Sequence, residues 1–215
     1  NISKYCNSKH AVSVNSATSG LHISCLALGL KKNDIVWTSA ISFVASANCA
    51  VYCGAKVDFL DISINDFNID IELLEKKLKL AKKNNQLPKI IIVVHFAGLP
   101  CDMKKIYKLK KKYKFKIIED ASHALGSTYF NNKIGNCKYS ELCVFSFHPV
   151  KPITTGEGGI VTTNNKQLKT KLNLLREHGI KRINSKKMRP KYYEQIILGF
   201  NYRMNELQAA LGIQQ

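Results

Sequence analysis

The spacing of hydrophobic residues along this chain changes period repeatedly, and each change marks an element. Residues 18–30 (TSGLHISCLALGL) carry helical spacing and follow Ser16, a residue type that caps helices. DIVWTS at 34–39 predicts a short strand, and SFVASANCAVYCGA at 42–55 a helix of small residues ended by Gly54. KVDFLDI at 56–62 alternates as a strand does. Asp70 is then placed to cap a helix running to about Asn84, with Leu73, Leu74 and Leu78 on one apolar stripe.

KIIIVVHF at 89–96 is a continuous apolar run, the pattern of a strand buried on both faces. A basic helix follows, in which Ile106, Leu109 and Tyr113 face away from the lysines of KLKKKYKFK (108–116). KIIED at 116–120, ELCVFSF at 141–147 and GIVTTN at 159–164 are predicted strands. Strands and helices alternate through short turns without an internal repeat. That order predicts an α/β fold with a mostly parallel central sheet flanked by helices.

Composition narrows the partners. With 215 residues, 45% of them hydrophobic, the chain can bury one sizeable core. Its net charge of +18 favours an anionic partner, either a nucleic acid or an acidic small substrate. The excess is nearly all lysine, with only four arginines, and no nucleic-acid-binding motif or regular aromatic interleaving accompanies it. A basic nucleic-acid-binding module therefore rests on charge alone, and the run at 108–116 reads as a solvated helix face. Seven cysteines form no CxxC pair, which suits reduced thiols in a cytoplasmic protein. No apolar run reaches 18 residues, so no membrane partner is expected. Asn1 is not an initiator methionine, and the closing MNELQAALGIQQ reads as a helix still under way. Residues 1–215 are thus expected to form one large domain of a longer protein.

In an open α/β sheet, ligands gather at the carboxyl ends of the strands, so the polar residues there carry the candidate chemistry. Asp120 and His123 end KIIEDASH; Ser146, His148 and Lys151 end VFSFHPVK; Asn15, Ser16, Thr18 and Ser19 sit in a turn opening a helix. Singly, each has a mundane role: Asp120 as a helix cap, His123 as a core or surface histidine, the 15–19 turn as a plain helix start, Lys151 as a surface lysine. Lys151, however, lies between Pro149 and Pro152 beside the glycine-rich GEGG. GEGGIVTT itself is neither a Walker A loop nor a GxGxxG fingerprint, and it precedes a strand. No HExxH or zinc-ligand spacing occurs, so no metal is expected.

Together the three clusters supply a phosphate cradle, a carboxylate and a constrained amine. Those are the needs of pyridoxal 5′-phosphate: hydroxyls and a helix N-terminus for the phosphate, a carboxylate for the pyridine nitrogen and a lysine for the aldehyde.

Five ordered segments, NSATSGLH, ISFVASANCAVYCGAKVDFLDI, EDASHALGS, FSFHPVKPITTGEGG and GFNYRMNELQAALG, resemble the DegT/StrS-type nucleotide-sugar aminotransferases. The resemblance runs from about residue 5 to the end. It implies the large domain of a fold-type I, pyridoxal-phosphate-dependent transferase, with a smaller C-terminal domain beyond this chain. It also implies Lys151 as the lysine joined to the cofactor, Asp120 as partner of the pyridine nitrogen and His123 beside the ring hydroxyl, where the family often has Gln. Phe43 corresponds to the aromatic that stacks on the ring, and Thr18, Ser19 and Ser146 to phosphate contacts. Asn201 and Arg203 correspond to a segment that reaches the neighbouring subunit's cofactor, implying a homodimer with shared sites. SHALGS and FHPVKPITTGEGG are most similar to members acting in the pseudaminic acid pathway. Those members aminate C4 of a UDP-linked 4-keto-6-deoxy-N-acetylhexosamine with L-glutamate as donor. The family also contains aminotransferases for other nucleotide-linked keto sugars, which is the alternative reading, and dehydratases with His in place of the lysine, a group from which Lys151 separates this chain.

Overall fold

The structure, a computed structural model, describes residues 1–182 and 192–215. After a short helix α1 (Ile2–Cys6), the chain lays down β1 (His10–Val14), α2 (Ala17–Ala27), β2 (Ile35–Ser39), α3 (Ala45–Val51), β3 (Lys56–Leu60), α4 (Ile71–Lys83) and β4 (Ile90–Val94). A 3₁₀ turn (Phe96–Gly98) leads to α5 (Met103–Tyr113) and β5 (Lys116–Asp120). A small hairpin of β6 (Thr128–Tyr129) and β7 (Asn132–Lys133) precedes β8 (Leu142–Ser146), β9 (Gly159–Thr163) and α6 (Lys166–Arg176). A strand pair, β10 (Ile180–Arg182) with β11 (Tyr193–Gln195), and α7 (Glu206–Ile213) complete the chain.

Seven strands make one sheet in the order β1-β9-β8-β5-β4-β2-β3. The pairs β3/β2, β2/β4, β4/β5 and β5/β8 are parallel; β9 runs antiparallel to both β8 and β1. Only β9 is reversed. The carboxyl ends of β1, β4, β5 and β8 therefore open on one edge.

The period-2 geometry of the strands divides the core. Ile90, Ile92, Ile118, Leu142 and Val144 face a cluster shared with α2, α3 and α6, whereas Ile91, Val93 and Ile117 face one shared with α4 and α5. Ile90 to Val93 are completely buried, as a strand covered by helices on both faces requires. At about 1.5–3 kcal/mol for each large aliphatic side chain, this strand anchors both layers.

The helices follow local rules. Ser16 caps α2 by accepting the Ser19 N–H at 3.1 Å, and Asp70 caps α4 by accepting the Leu73 N–H at 2.9 Å. In α5, Ile106, Leu109 and Tyr113 are buried and the lysines lie outside; Lys110 and Lys112 reach Glu141 (2.6 Å) and Glu75 (3.1 Å). The stripe expected on α4 shifts by one position. Leu73 is 39% exposed, and Leu74, Leu78 and Ala81, at i, i+4 and i+7, make the buried face. Strand β1 and helix α6 are additions to the predicted elements. All seven cysteines are free thiols, and six are buried. Among the described residues no helix is long and apolar enough to cross a membrane.

One glycine sets where the sheet meets α2. A Cβ on Gly159, the first residue of β9, would lie 2.7 Å from the Ala17 nitrogen, 2.8 Å from the Ser16 carbonyl carbon and 2.9 Å from the Phe145 oxygen. All three are backbone atoms that cannot rotate away. Gly159→Ala is expected to push the α2 N-terminus off the sheet at a cost of about 1–3 kcal/mol. Denaturant unfolding of the full-length protein checks this; an unchanged midpoint would show that the contact relaxes freely.

Candidate active site

A cavity of about 590 Å³ opens at the carboxyl edge of the sheet, between the start of α2, the start of α3 and the segment 146–157. Eight residues singled out in the sequence line it: Ser16, Thr18, Phe43, Asp120, His123, Ser146, His148 and Lys151.

Asp120 is the last residue of β5. It points to the face of Ile118 and so meets α3 rather than α5. Its carboxylate is only 5% exposed and accepts three bonds: Ser46 Oγ at 2.6 Å on one oxygen, Ser122 Oγ at 2.6 Å and the Ser122 N–H at 3.2 Å on the other. Ser42 lies 2.7 Å behind Ser46. Such a network satisfies the hydrogen-bonding capacity of a buried carboxyl group and fixes its direction. Ser46 and Ser122 are functional candidates that sequence reasoning missed. Ser46 sits among small residues (ASANCA) without a motif; Ser122 could have been found as an Asx-turn partner two residues after Asp120.

Lys151 follows β8 in a turn where its N–H bonds the His148 carbonyl at 2.9 Å. Its Nζ lies 2.5 Å from His123 Nε2. Burial lowers the Lys151 pKa below the ordinary lysine value, while the Asp120 carboxylate pulls it up. The His123 pKa is lowered too, by burial first and then by the Lys151 charge, with Asp120 opposing both. The Lys151 charge thus favours neutral His123, and burial favours the neutral, nucleophilic form of the amine.

Thr18 lies in the first turn of α2, whose leading N–H groups have no partner within the helix and can bind an anion. Ser19 is 8% exposed, and its hydroxyl bonds Asn15 Oδ1 at 2.6 Å and Ser16 Oγ at 3.0 Å. It buttresses the turn at the cavity's edge. Ser146, 7% exposed at the end of β8, faces the same opening. Phe43 is 74% exposed at the rim, placed to cover a planar ligand. Asn201 and Arg203 stand apart from these residues. Asn201 bridges to Glu177, and both are exposed outside the cavity of their own chain.

The donor set therefore brings to one cavity a helix N-terminus able to bind an anion, a buried carboxyl group, an exposed aromatic ring and an amine whose pKa is lowered by burial. The sequence profile of the DegT/DnrJ/EryC1/StrS aminotransferase family matches residues 1–215. The chain belongs to that family. It is 48% identical over 214 residues to the UDP-4-amino-4,6-dideoxy-N-acetyl-beta-L-altrosamine transaminase of Campylobacter jejuni, covering 100% of this chain and 54% of the relative. Among solved structures, it superposes on Helicobacter pylori PseC, an aminotransferase involved in the biosynthesis of pseudoaminic acid. That match has a TM-score of 0.87 and 38% identity, and covers 100% of this chain and 54% of that one. The PMP-form of the sugar aminotransferase Spr1654 from Streptococcus pneumoniae matches with a TM-score of 0.86 at 27% identity, over 99% of this chain and 57% of that one. The chain thus spans about half the length of the curated relatives it matches.

The lowered His123 pKa has a defined consequence for stability. Folding disfavours protonated His123, so acidification costs stability from the ordinary imidazole pKa down to the depressed folded value. Between about pH 7.5 and 5, the wild type is expected to lose more stability than His123→Gln, which cannot take up that proton. Urea melts at the two pH values check this, and equal losses would contradict it.

Proposed function

We propose that the full-length protein containing this chain is a pyridoxal 5′-phosphate-dependent aminotransferase. Its reaction moves the amino group of L-glutamate to C4 of a UDP-linked 4-keto-6-deoxy-N-acetylhexosamine, a step in making pseudaminic acid for surface glycans. The observation that carries the reading is the meeting of Lys151, buried Asp120 and the α2 N-terminus in one cavity. Each matches a different part of the cofactor. The 48% identity to an altrosamine transaminase supports the sugar.

The α2 N-terminus holds the phosphate with the hydroxyls of Thr18, Ser19 and Ser146. Phe43 covers the ring from the open side. Asp120, oriented by Ser46 and Ser122, is the residue that would pair with the ring nitrogen and keep a proton there. When bound, pyridoxal 5′-phosphate supplies an electron sink for the carbanion that forms at the donor's Cα. Lys151 is the residue that would hold the aldehyde and, once freed by the donor amine, its amino group would take up and deliver the proton of the donor's Cα. Burial lowers its pKa from the ordinary lysine value, which raises the share of neutral amine. In the second half, the same Lys151 amino group would return a proton as the sugar's C4 is aminated. His123 contacts the ring hydroxyl and keeps Lys151 oriented.

Asn201 and Arg203 project away from their own cavity, and we assign them to the site of a second copy, giving a homodimer with shared sites. The net charge of +18 favours the substrate diphosphate. Seven free cysteines accord with work in the cytoplasm.

Full-length protein loaded with pyridoxal 5′-phosphate is expected to show a visible band that L-glutamate converts to the pyridoxamine form. Lys151→Ala should bind the cofactor and turn over at least about 100-fold more slowly; wild-type turnover would remove Lys151 from its role. Asp120→Asn should bind the cofactor more weakly and lose most of its rate. Incubating the glutamate-treated enzyme with purified UDP-4-keto sugars, with the product's C4 configuration read by NMR, tests the sugar. Amination of a different nucleotide-linked sugar alone would overturn that assignment and leave the aminotransferase reading standing.

A further inference from the structure

Directly beside the cavity is a buried polar pair that the mechanism above does not use. His95, the residue after β4, has its ring wholly buried, and Glu119, just before Asp120 on β5, has a side chain only 5% exposed. His95 Nε2 lies 2.8 Å from Glu119 Oε2, and His95 Nδ1 accepts the Cys101 N–H at 3.2 Å. Because Nδ1 accepts, the ring proton sits on Nε2 and is donated to the carboxylate. The other Glu119 oxygen accepts the Ser140 hydroxyl.

This pair joins four segments at the floor of the site: the ends of β4 and β5, the turn before α5 and the loop before β8. Two of the links bear directly on the site residues. The His95 backbone N–H donates to the Asp120 carbonyl at 3.1 Å. The 3₁₀ turn that starts after His95 packs under His123, so closely that a Cβ on Gly98 (φ +87°) would lie 2.6 Å from the His123 carbonyl oxygen. On the same turn, Ser127 Oγ donates to the Gly98 carbonyl at 2.7 Å. Asp120 and His123 therefore both rest on what the imidazole and carboxylate hold in place.

We propose that His95 and Glu119 are positioning residues for the reaction, setting the separation between the Asp120 carboxylate and the His123–Lys151 pair. Glu119 does not line the cavity, and His95, which borders it, keeps its ring wholly buried against Glu119. A bare sheet contact would need no buried charge at this spot, because apolar side chains fill the neighbouring positions Ile91, Val93 and Ile117 on the same face. A buried hydrogen-bonded pair adds direction to the packing, at the risk of instability if only one member is removed.

The proposal rests on the aminotransferase reading, and the test separates the two. In full-length protein, Glu119→Gln keeps the shape and removes the charge. The double variant His95→Phe/Glu119→Leu replaces the pair by apolar groups and leaves no unpaired buried charge. The measurements are the unfolding midpoint, the affinity for pyridoxal 5′-phosphate by absorption titration, and kcat and KM for glutamate. The expected result is a folded double variant that binds the cofactor at least tenfold more weakly. Its kcat should be lower by about 100-fold, the scale of a 1 Å misplacement, with KM within threefold of wild type. Glu119→Gln should move in the same direction by less. A folded double variant with wild-type cofactor affinity and kcat would overturn the proposal. Loss of fold in both variants would also overturn it, by making the pair a folding element. If the wild type itself acquires no visible band with pyridoxal 5′-phosphate, the reading of the whole site falls first.

Discussion

A carboxyl group on a residue only 5% exposed must find hydrogen-bond partners within the fold, and the surroundings of Asp120 are organised by that requirement. Ser46 comes from α3 and Ser122 from the turn after β5, so satisfying one side chain ties a helix and a loop to the end of a central strand. Moving α3 away would strip the Ser46 bond and leave one of the two carboxyl oxygens without its partner. The start of α3 is thereby held over the sheet edge, and Phe43 is held at the rim of the cavity. The same carboxylate bears on both Lys151 and His123 and limits how far burial can depress them.

Alternation along β5 gives the site its second layer. Asp120 shares a face with Ile118, and Glu119 shares one with Ile117. Two adjacent acids therefore enter different environments: one meets serines and an open cavity, the other meets a histidine in a closed core. A slip of one residue in register would exchange them. The fully buried run Ile90–Val93 makes such a slip costly, because it would have to repack against both helical layers.

Much of this was legible in the sequence, for identifiable reasons. The apolar run of β4 and the amphipathic α5 are patterns long enough to specify their own burial. Asp70 and Ser16 cap helices because a cap is a local interaction within a few residues. Other features were hidden. HAVSV mixes His10 and Ser13 into a five-residue strand, too short to separate from a loop, and it becomes a strand by pairing with β9. Helix α6 carries Leu168, Leu172 and Leu175 at proper spacing, but lysines and asparagines dilute the signal. On α4, Leu73 and Leu74 are equally apolar, and only the packing partner decides which is buried. The glycines of GEGG read as a turn, yet Gly159 matters because another backbone passes within 3 Å of where its Cβ would be.

The sequence by itself determined the alternation of strands and helices, the faces that seek burial, and the supply of an amine, a carboxylate and hydroxyls at strand ends. Those follow from period and residue type, which act over a few neighbours. Only the tertiary structure decided that Ser46 meets Asp120 across 74 residues, that Lys151 meets His123 across 28, and that His95 meets Glu119 across 24. Such contacts depend on the strand order β1-β9-β8-β5-β4, which brings the carboxyl ends of separate strands to one edge. No local pattern encodes that order, because it is selected by how the two helical layers cover the sheet as a whole.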